Sequence, residues 1–542
     1  MIDTSKTIYE NFRATAIIRG PKDAAYYEGK TLSYLDLLEL SNKFAAYYFS
    51  LGLTADDIIT IVAPNTPESV AAFLGASQAG IKVHLLHPLT SQENILREFE
   101  EKKSKLLVTV SLFVRFYDKL LQKNIPMLIL DFTNSLPLFK KIAFYLINHK
   151  KLALYHAHKE LPRFRNACKK RADKETHYDS KAGRILLSSG GTTGKSKTIV
   201  LSDYAFLSVI NTGLWIVGTK EEEMYDKTML AALPMFHGFG LTMGVLTLLL
   251  YGGRIALLPS FRTNKVIKLL KKKHLNILIG VPALYEALLK NKHFKGKLLA
   301  PIRECFVGGD FISPALIERF NNRLSEGGSV GKMLEGYGLT EAVTVLSVNR
   351  LSDNRKGSIG KPLPGVIVKI LNEEGKEVKP GEMGEIAISG KTLMNGYFDQ
   401  KDPFYYFENK PWVKTGDIGY MDRDGFLFFV SRKKRMIKKK GLNVYPLAIE
   451  KFVSSLPYVE ECAYLGEQKD GRDYTALFVH LKEGIPFESK KDNILDELKE
   501  EFNSYELPDF IFAKNEFEHT NVGKIDYISL SKEFQNHLNN KY

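Results

Sequence analysis

Three short runs, Ile58-Ile59-Thr60-Ile61-Val62, Val83 to Leu86 and Leu106-Leu107-Val108-Thr109-Val110, are almost continuously apolar, and the segments between them, 68–79 and 91–101, carry helical spacing. A strand without polar alternation has both faces buried, and strands alternating with helices build a parallel sheet covered on both sides. The N-terminal part is therefore expected to be α/β. Residues 31–52 read as a helix, with Ser33 as cap, Asp36 three positions on, Leu37, Phe44, Tyr48 and Leu51 on one face and Gly52 as the stop.

At 542 residues the chain exceeds one ordinary core, so two or three domains are expected. From Ala448 onward the pattern changes to strands near 461–465 and 475–481 followed by a charged helix at about 492–502, a small α+β unit. Hydrophobic residues at 44% and charged residues at 25% describe a soluble globular protein. The first residues lack the basic-then-apolar plan of a signal peptide, and the longest apolar run, 239–251, is too short and too interrupted by Gly and Thr to span a bilayer. Cys168, Cys305 and Cys462 are an odd, widely spaced set, which argues against disulfides and for a cytoplasmic location.

A net charge of +14 would suit an anionic partner, but it is spread over lysine-rich helices without a nucleic-acid module, so no nucleic-acid partner is expected. One dense stretch, 136–171, interleaves Phe139, Ile142 and Leu146 at helical spacing with Lys140, Lys141, Lys150, Lys151, Lys159 and Arg163. It reads either as a surface helix with its lysines in water or as a peripheral contact with an anionic membrane.

The strand Ile185 to Leu187 runs into Ser188-Ser189-Gly190-Gly191-Thr192-Thr193-Gly194-Lys195-Ser196-Lys197. Small side chains let backbone N–H groups approach an anion, hydroxyls add donors and lysine adds a mobile charge, which makes a phosphate cradle by composition. The spacing is neither that of the Walker loop nor that of the dinucleotide fingerprint.

This loop resembles the Ser/Thr-Gly-Thr-Thr-Gly-x-Pro-Lys signature of the adenylate-forming (AMP-binding) superfamily, with Ser196 in place of proline and Thr198 in place of glycine. Further motifs follow in the family's order. Leu233-Pro234-Met235-Phe236-His237-Gly238-Phe239-Gly240 resembles its second motif, where the resemblance puts His237 at the entrance to the acyl pocket. Gly280 to Tyr285 and Gly308-Gly309-Asp310 resemble pocket walls, with Gly309 and Asp310 against adenine. Glu335-Gly336-Tyr337-Gly338-Leu339-Thr340-Glu341 matches Tyr-Gly-x-Thr-Glu and implies that Gly336, Tyr337 and Gly338 take adenine, Thr340 the α-phosphate and Glu341, with Thr193, Mg²⁺.

The resemblance continues through Gly384 to Ile388 and Gly396-Tyr397, a β-rich region, to Thr415-Gly416-Asp417, whose carboxylate would accept the ribose hydroxyls. In Ser431 to Pro446, Arg432 would contact ribose or phosphate, Lys434 would be a hinge, Gly441 would border the thiol tunnel, and the basic segment from Lys438 to Gly441 would replace Lys524 in the second step; Arg435 stands where an acidic residue is common. Asn521-Val522-Gly523-Lys524-Ile525-Asp526 matches the terminal motif, making Lys524 the catalytic lysine that bridges carboxylate and phosphate.

The resemblance implies a large N-terminal domain, 1–430, of parallel α/β sheets plus a β-rich subdomain, a hinge at 431–434 and a small mobile α+β domain at 435–542. It also implies ATP, Mg²⁺ and coenzyme A, and a ligase of the acyl-CoA synthetase type acting on a small-molecule carboxylic acid. The short link from Asp417 to Arg432 favours a thioester product, and the aliphatic pocket segments favour a medium- or long-chain fatty acid. An aryl acid, and a carrier-protein phosphopantetheine as acceptor, are the alternatives within the class. A non-catalytic nucleotide- or acyl-binding protein is the alternative outside it, and the presence of Thr340, Glu341, Asp417, Arg432 and Lys524 argues against that reading.

Overall fold

The apolar strands lie side by side, as their pattern requires. The computed structural model describes residues 2–164, 168–170, 172, 174–188, 197–439, 442–519 and 525–541. In it Ile58–Val62 pairs in parallel with Lys82–Leu85 on one side and Leu106–Val110 on the other. Gly183–Ser188 and Met127–Leu130 extend the parallel run, Thr198–Ser202 turns back antiparallel on Gly183–Ser188, and Gly396–Tyr397 closes the edge. Among the described residues this is a seven-stranded sheet.

A second sheet, of nine strands among the described residues, has the parallel order Lys332–Gly338, Glu304–Val307, Ile277–Gly280, Thr228–Ala231, Arg254–Leu257, Asp23–Tyr27. Antiparallel strands finish both ends. Ile277 and Ile279 point into a central core shared with Ile59 and Ile61 of the first sheet, while Leu278 points into an outer core. That outer core is closed by the helices Thr263–Lys273, Pro282–Lys290 and Pro314–Glu326. Burial on two faces is why these strands read as unbroken apolar runs.

The helix Pro67–Ala79 is buried along its whole length. Thr66 caps it, Pro67 fixes its first turn, and Gly80, at φ 71, ends it in the left-handed region. It packs on the helix Tyr34–Ser50 so closely that a Cβ on Gly75 would lie 2.7 Å from Phe44 Cβ. The capping box of Ser33 and Asp36 forms, but Lys30–Ser33 is a strand paired with Asp23–Tyr27, so the helix begins later than expected. Leu51 lies past its last turn and is exposed rather than on the buried face.

A third sheet is antiparallel, built from Val366–Leu371, Gly384–Gly390, Lys410–Met421, Tyr405–Phe407 and Leu427–Arg432. Beyond it a separate C-terminal α+β region has its own cores. There the two expected strands are parts of a longer hairpin, Val459–Lys469 with Arg472–Leu481, flanked by Phe510–Ala513 and by the helices Pro446–Ser455, Lys491–Glu501 and Tyr527–Lys541. The apolar run at 239–251 forms the π-helix Phe239–Leu246 and the turn of helix Thr247–Leu250 inside the core. Among the described residues no helix is long and apolar enough to cross a membrane.

Candidate active site

Four neighbouring strands of the second sheet deliver the motifs at one edge. Thr228–Ala231 leads to His237, Ile277–Gly280 to Val281, Glu304–Val307 to Gly309 and Asp310, and Lys332–Gly338 to Thr340 and Glu341. All four are parallel, so these loops share the carboxyl end, where open α/β sheets bind ligands. Glycines permit the loops to touch. A Cβ on Gly308 would lie 2.8 Å from Gly336 O, one on Gly238 1.9 Å from Val343 O, and one on Gly338 1.5 Å from Thr344 O. His237 and the turn bearing Glu341 are thereby held against each other through backbone contact.

Asn65, at the end of the strand Ile58–Val62, ties the first sheet to this edge. Its buried amide donates to Ala231 O and Leu233 O at 3.2 and 2.8 Å and accepts from Met235 N at 2.9 Å. His237 is exposed, its ring 4.3 Å from that of Phe236, which in turn lies 4.5 Å from His87. His87 Nδ1 accepts from Leu89 N, which leaves the ring proton on Nε2, and burial holds its pKa below the ordinary histidine value.

Asp417 is the most buried charge of the site, 1% exposed. It faces Arg432 across the strand pair Lys410–Met421 and Leu427–Arg432, with Arg432 Nε 3.0 Å from Oδ1 as an ion-pair approach, and it accepts a hydrogen bond from the Tyr337 hydroxyl. Burial raises its pKa; Arg432 and then Tyr337 oppose the shift. Tyr337, Asp417 and Arg432, distant in sequence, thus form one polar group whose outer member, Arg432, is exposed.

Glu341 is half-buried and accepts a 3.1 Å hydrogen bond from Tyr397 Oη. The Tyr397 ring lies 4.4 Å beneath Lys197 Nζ. Tyr397 reaches this position because Gly396–Tyr397 joins the seven-stranded sheet rather than the β-rich one. The sequence marks Tyr397 only through the Gly-Tyr pair, which does not reveal its contact with Glu341. Asn65 and His87 were missed, since a Pro-Asn turn and a lone histidine carry little signal. Among the described residues a close group of three metal-capable side chains occurs at Glu10, Glu175 and His177, not at Glu341. A single carboxylate suits a Mg²⁺ ion that keeps waters and takes substrate phosphates as its other ligands.

Ser188 pairs with Thr198, so Ser189 to Ser196 join two antiparallel strands rather than a strand and a helix, unlike a Walker loop. The expected phosphate group Ser189, Gly190, Gly191, Thr192, Thr193 and Gly194 lies outside the described residues, as do Gly441 and Lys524. Lys434 and Lys438 are exposed, the latter on the strand Ile437–Lys439. Their neighbour Lys439 is turned inward, 3.0 Å from Asp509. Arg435 donates to Glu450 at 2.7 Å and lies 4.0 Å over the Tyr527 ring, so the basic residue in an acidic position is neutralised within the C-terminal region.

Similar proteins fit this arrangement. Long-chain-fatty-acid–CoA ligases of Bacillus subtilis (strain 168) and Salmonella typhimurium are 28% and 29% identical, over 96% and 99% of this chain and 93% and 96% of those proteins. Among solved structures, an anthranilate CoA ligase in complex with anthranoyl-AMP superposes with a TM-score of 0.83 at 21% identity, covering 99% of this chain and 98% of that one. O-succinylbenzoate coenzyme A synthetase of Bacillus subtilis, in complex with ATP and magnesium ion, gives 0.77 at 22% identity, covering 95% and 98%. The family model for AMP-binding enzymes matches residues 12–398, well over half the sequence, and with its motifs converging on one sheet edge the chain belongs to the AMP-binding enzyme family.

Proposed function

We propose that the chain activates a carboxylic acid with ATP and transfers the acyl group to the thiol of coenzyme A, with a medium- or long-chain fatty acid as the acid. The observation that carries this reading is the buried Asp417 carboxylate, backed by Tyr337 and Arg432 beside four converging strand ends. A carboxylate acceptor held between Tyr337 and Arg432 would suit the two hydroxyls of a ribose, and Tyr337 would offer a ring for the base. The choice of acid and acceptor draws on the relatives named long-chain-fatty-acid–CoA ligases.

In the first step a carboxylate oxygen of the acid attacks the α-phosphorus, a C–O–P linkage forms, the bond to the β-phosphate breaks and pyrophosphate leaves. In the second the thiolate sulfur attacks the acyl carbon, the C–S bond forms and AMP leaves. The work of the side chains is positioning and charge neutralisation. Thr192, Thr193 and Lys197 would hold the phosphates, Thr340 the α-phosphate, and Lys524 would bridge carboxylate and phosphate. Gly309 and Asp310 would border the base, and His237 would stand at the acyl entrance. Mg²⁺, held by Glu341 with Thr193, would neutralise phosphate oxygens when bound. Residues 435–542 would turn about the hinge 431–434 at Lys434, exchanging Lys524 for the segment from Lys438 to Gly441.

ATP–pyrophosphate exchange with graded fatty acids, benzoates and amino acids, followed by thioester formation with coenzyme A or a phosphopantetheinylated carrier protein, tests the reading. Exchange peaking with fatty acids of medium or long chain, and turnover with coenzyme A, is expected. Folded, ATP-binding protein that exchanges with none of these acids would overturn it.

A further inference from the structure

The helix Leu138–Asn148 presents its apolar side to solvent. None of its side chains is buried, and Leu138, Phe139, Ile142, Leu146 and Ile147 range from 53% exposed at Ile142 to 75% at Ile147. Residues four apart share a helix face, so Leu138, Ile142 and Leu146 form one row and Phe139, Ala143 and Ile147 the row beside it. Both rows are wholly apolar. The opposite face anchors the helix: Lys140 donates to Glu28 at 2.8 Å, Lys141 to Asn134 Oδ1 at 2.7 Å, the Phe144 ring stands edge-on 5.1 Å from that of Phe132, and Tyr145 Oη lies 3.2 Å from Thr133 Oγ1. Of the lysines expected in water, Lys140 and Lys141 are instead spent on these inward contacts.

Charge identifies the occupant of the outward face. The sequence has no acidic residue between Asp131 and Glu160, and Lys150, Lys151 and Lys159 are exposed just beyond the helix. A second copy of the chain docking face to face would set these lysines against their own counterparts, whereas an anionic surface complements them. We propose that Leu138–Asn148 is a membrane-docking helix that lies flat on an anionic phospholipid bilayer. Its two apolar rows enter the boundary between headgroups and acyl chains, and Lys150, Lys151 and Lys159 meet lipid phosphates. The inference stands independently of the proposed reaction, because its test reads binding and not turnover.

The test is flotation of the full-length protein with phosphatidylcholine vesicles, with and without phosphatidylglycerol, at low and high salt. Wild type should float with the anionic vesicles and less so at high salt. The double variant Ile142→Gln, Leu146→Gln should lose binding by about tenfold or more while keeping its melting temperature, since both side chains are exposed. Lys150→Glu with Lys151→Glu should lose the preference for anionic lipid, and Phe139→Trp should add a blue-shifted emission on vesicle binding. Wild type that does not float with anionic vesicles, or flotation unchanged by the apolar double variant, overturns the proposal. A dimer that the apolar double variant dissociates assigns the face to a second copy and overturns it too.

Discussion

Tyr397 joins two charges that the sequence separates widely, accepting Lys197 over its ring and holding Glu341 by its hydroxyl. Tyr397→Phe keeps the ring and removes the hydroxyl. It is expected to slow adenylation by about tenfold and to raise the Mg²⁺ concentration needed for half-maximal ATP–pyrophosphate exchange, at unchanged melting temperature. An unaltered Mg²⁺ titration would mean that the hydroxyl does not position Glu341. A different residue sets a pH dependence. Glu68 is buried in the first turn of Pro67–Ala79, accepts from Ser135 Oγ at 2.6 Å, and burial pushes its carboxyl up to about 7. Between the ordinary value of about 4.3 and this raised one, the folded protein holds a proton that the unfolded chain releases. Stability from this group therefore falls as pH rises through that window, by up to ~1.4 kcal/mol per pH unit. Glu304 and Glu335, also raised to about 7 by burial, act with the same sign, so the informative quantity is the difference from a variant. Glu68→Gln still offers Ser135 an acceptor; it should melt with wild type near about pH 4, at the foot of this window, and above wild type near about pH 8. A constant difference across that range would exclude this origin.

At the scale of elements, the site depends on loops that touch through glycine. The loop after Thr228–Ala231 and the turn Thr340–Ala342 meet where Gly238 faces Val343 O, and Val343 itself has φ 67, which a β-branched residue rarely adopts. Gly238→Ala would place a Cβ inside that contact and force one backbone to move. The expected cost is ~2 kcal/mol or more of stability together with loss of exchange activity, read by denaturant melts and by pyrophosphate exchange. Gly336→Ala differs, since its Cβ would meet nothing nearer than 3.4 Å. That variant should melt like wild type yet raise the KM for ATP by about tenfold, because a methyl group would stand where the base approaches the backbone. Equal ATP dependence in Gly336→Ala and wild type would remove this segment from the nucleotide site.

For the whole molecule, two chemical steps at one site call for a change of surroundings between them. Lys451, on the C-terminal helix Pro446–Ser455, approaches Phe429 O at 3.4 Å and the Phe311 ring at 5.3 Å, so the C-terminal region rests on the rim of the site in this arrangement. The domain turn proposed above would break these Lys451 contacts and remake others. Lys524→Ala should abolish adenylation while leaving thioester formation from preformed acyl-adenylate within about twofold to threefold of wild type. Equal loss in both half-reactions would mean that Lys524 is not confined to the first step.

The strands Ile58–Val62 and Leu106–Val110, the Ser33–Asp36 capping box and the order of the motifs are legible in the sequence, because these are local. An apolar run, a cap or a tight glycine turn is written in consecutive residues. Motif resemblance implies that Asp417 and Arg432 both serve the ribose end of a nucleotide, and the strand register sets the two opposite each other. Tertiary structure alone decided that Gly396–Tyr397 crosses to the seven-stranded sheet and meets Glu341, that Asn65 anchors the His237 loop, and that Lys140 and Lys141 turn inward. Each of these is a contact between residues far apart in the chain. Helical spacing fixes which side chains share a face, but not which face the rest of the molecule covers; here Glu28 and Asn134 took the lysines and left the apolar rows outside.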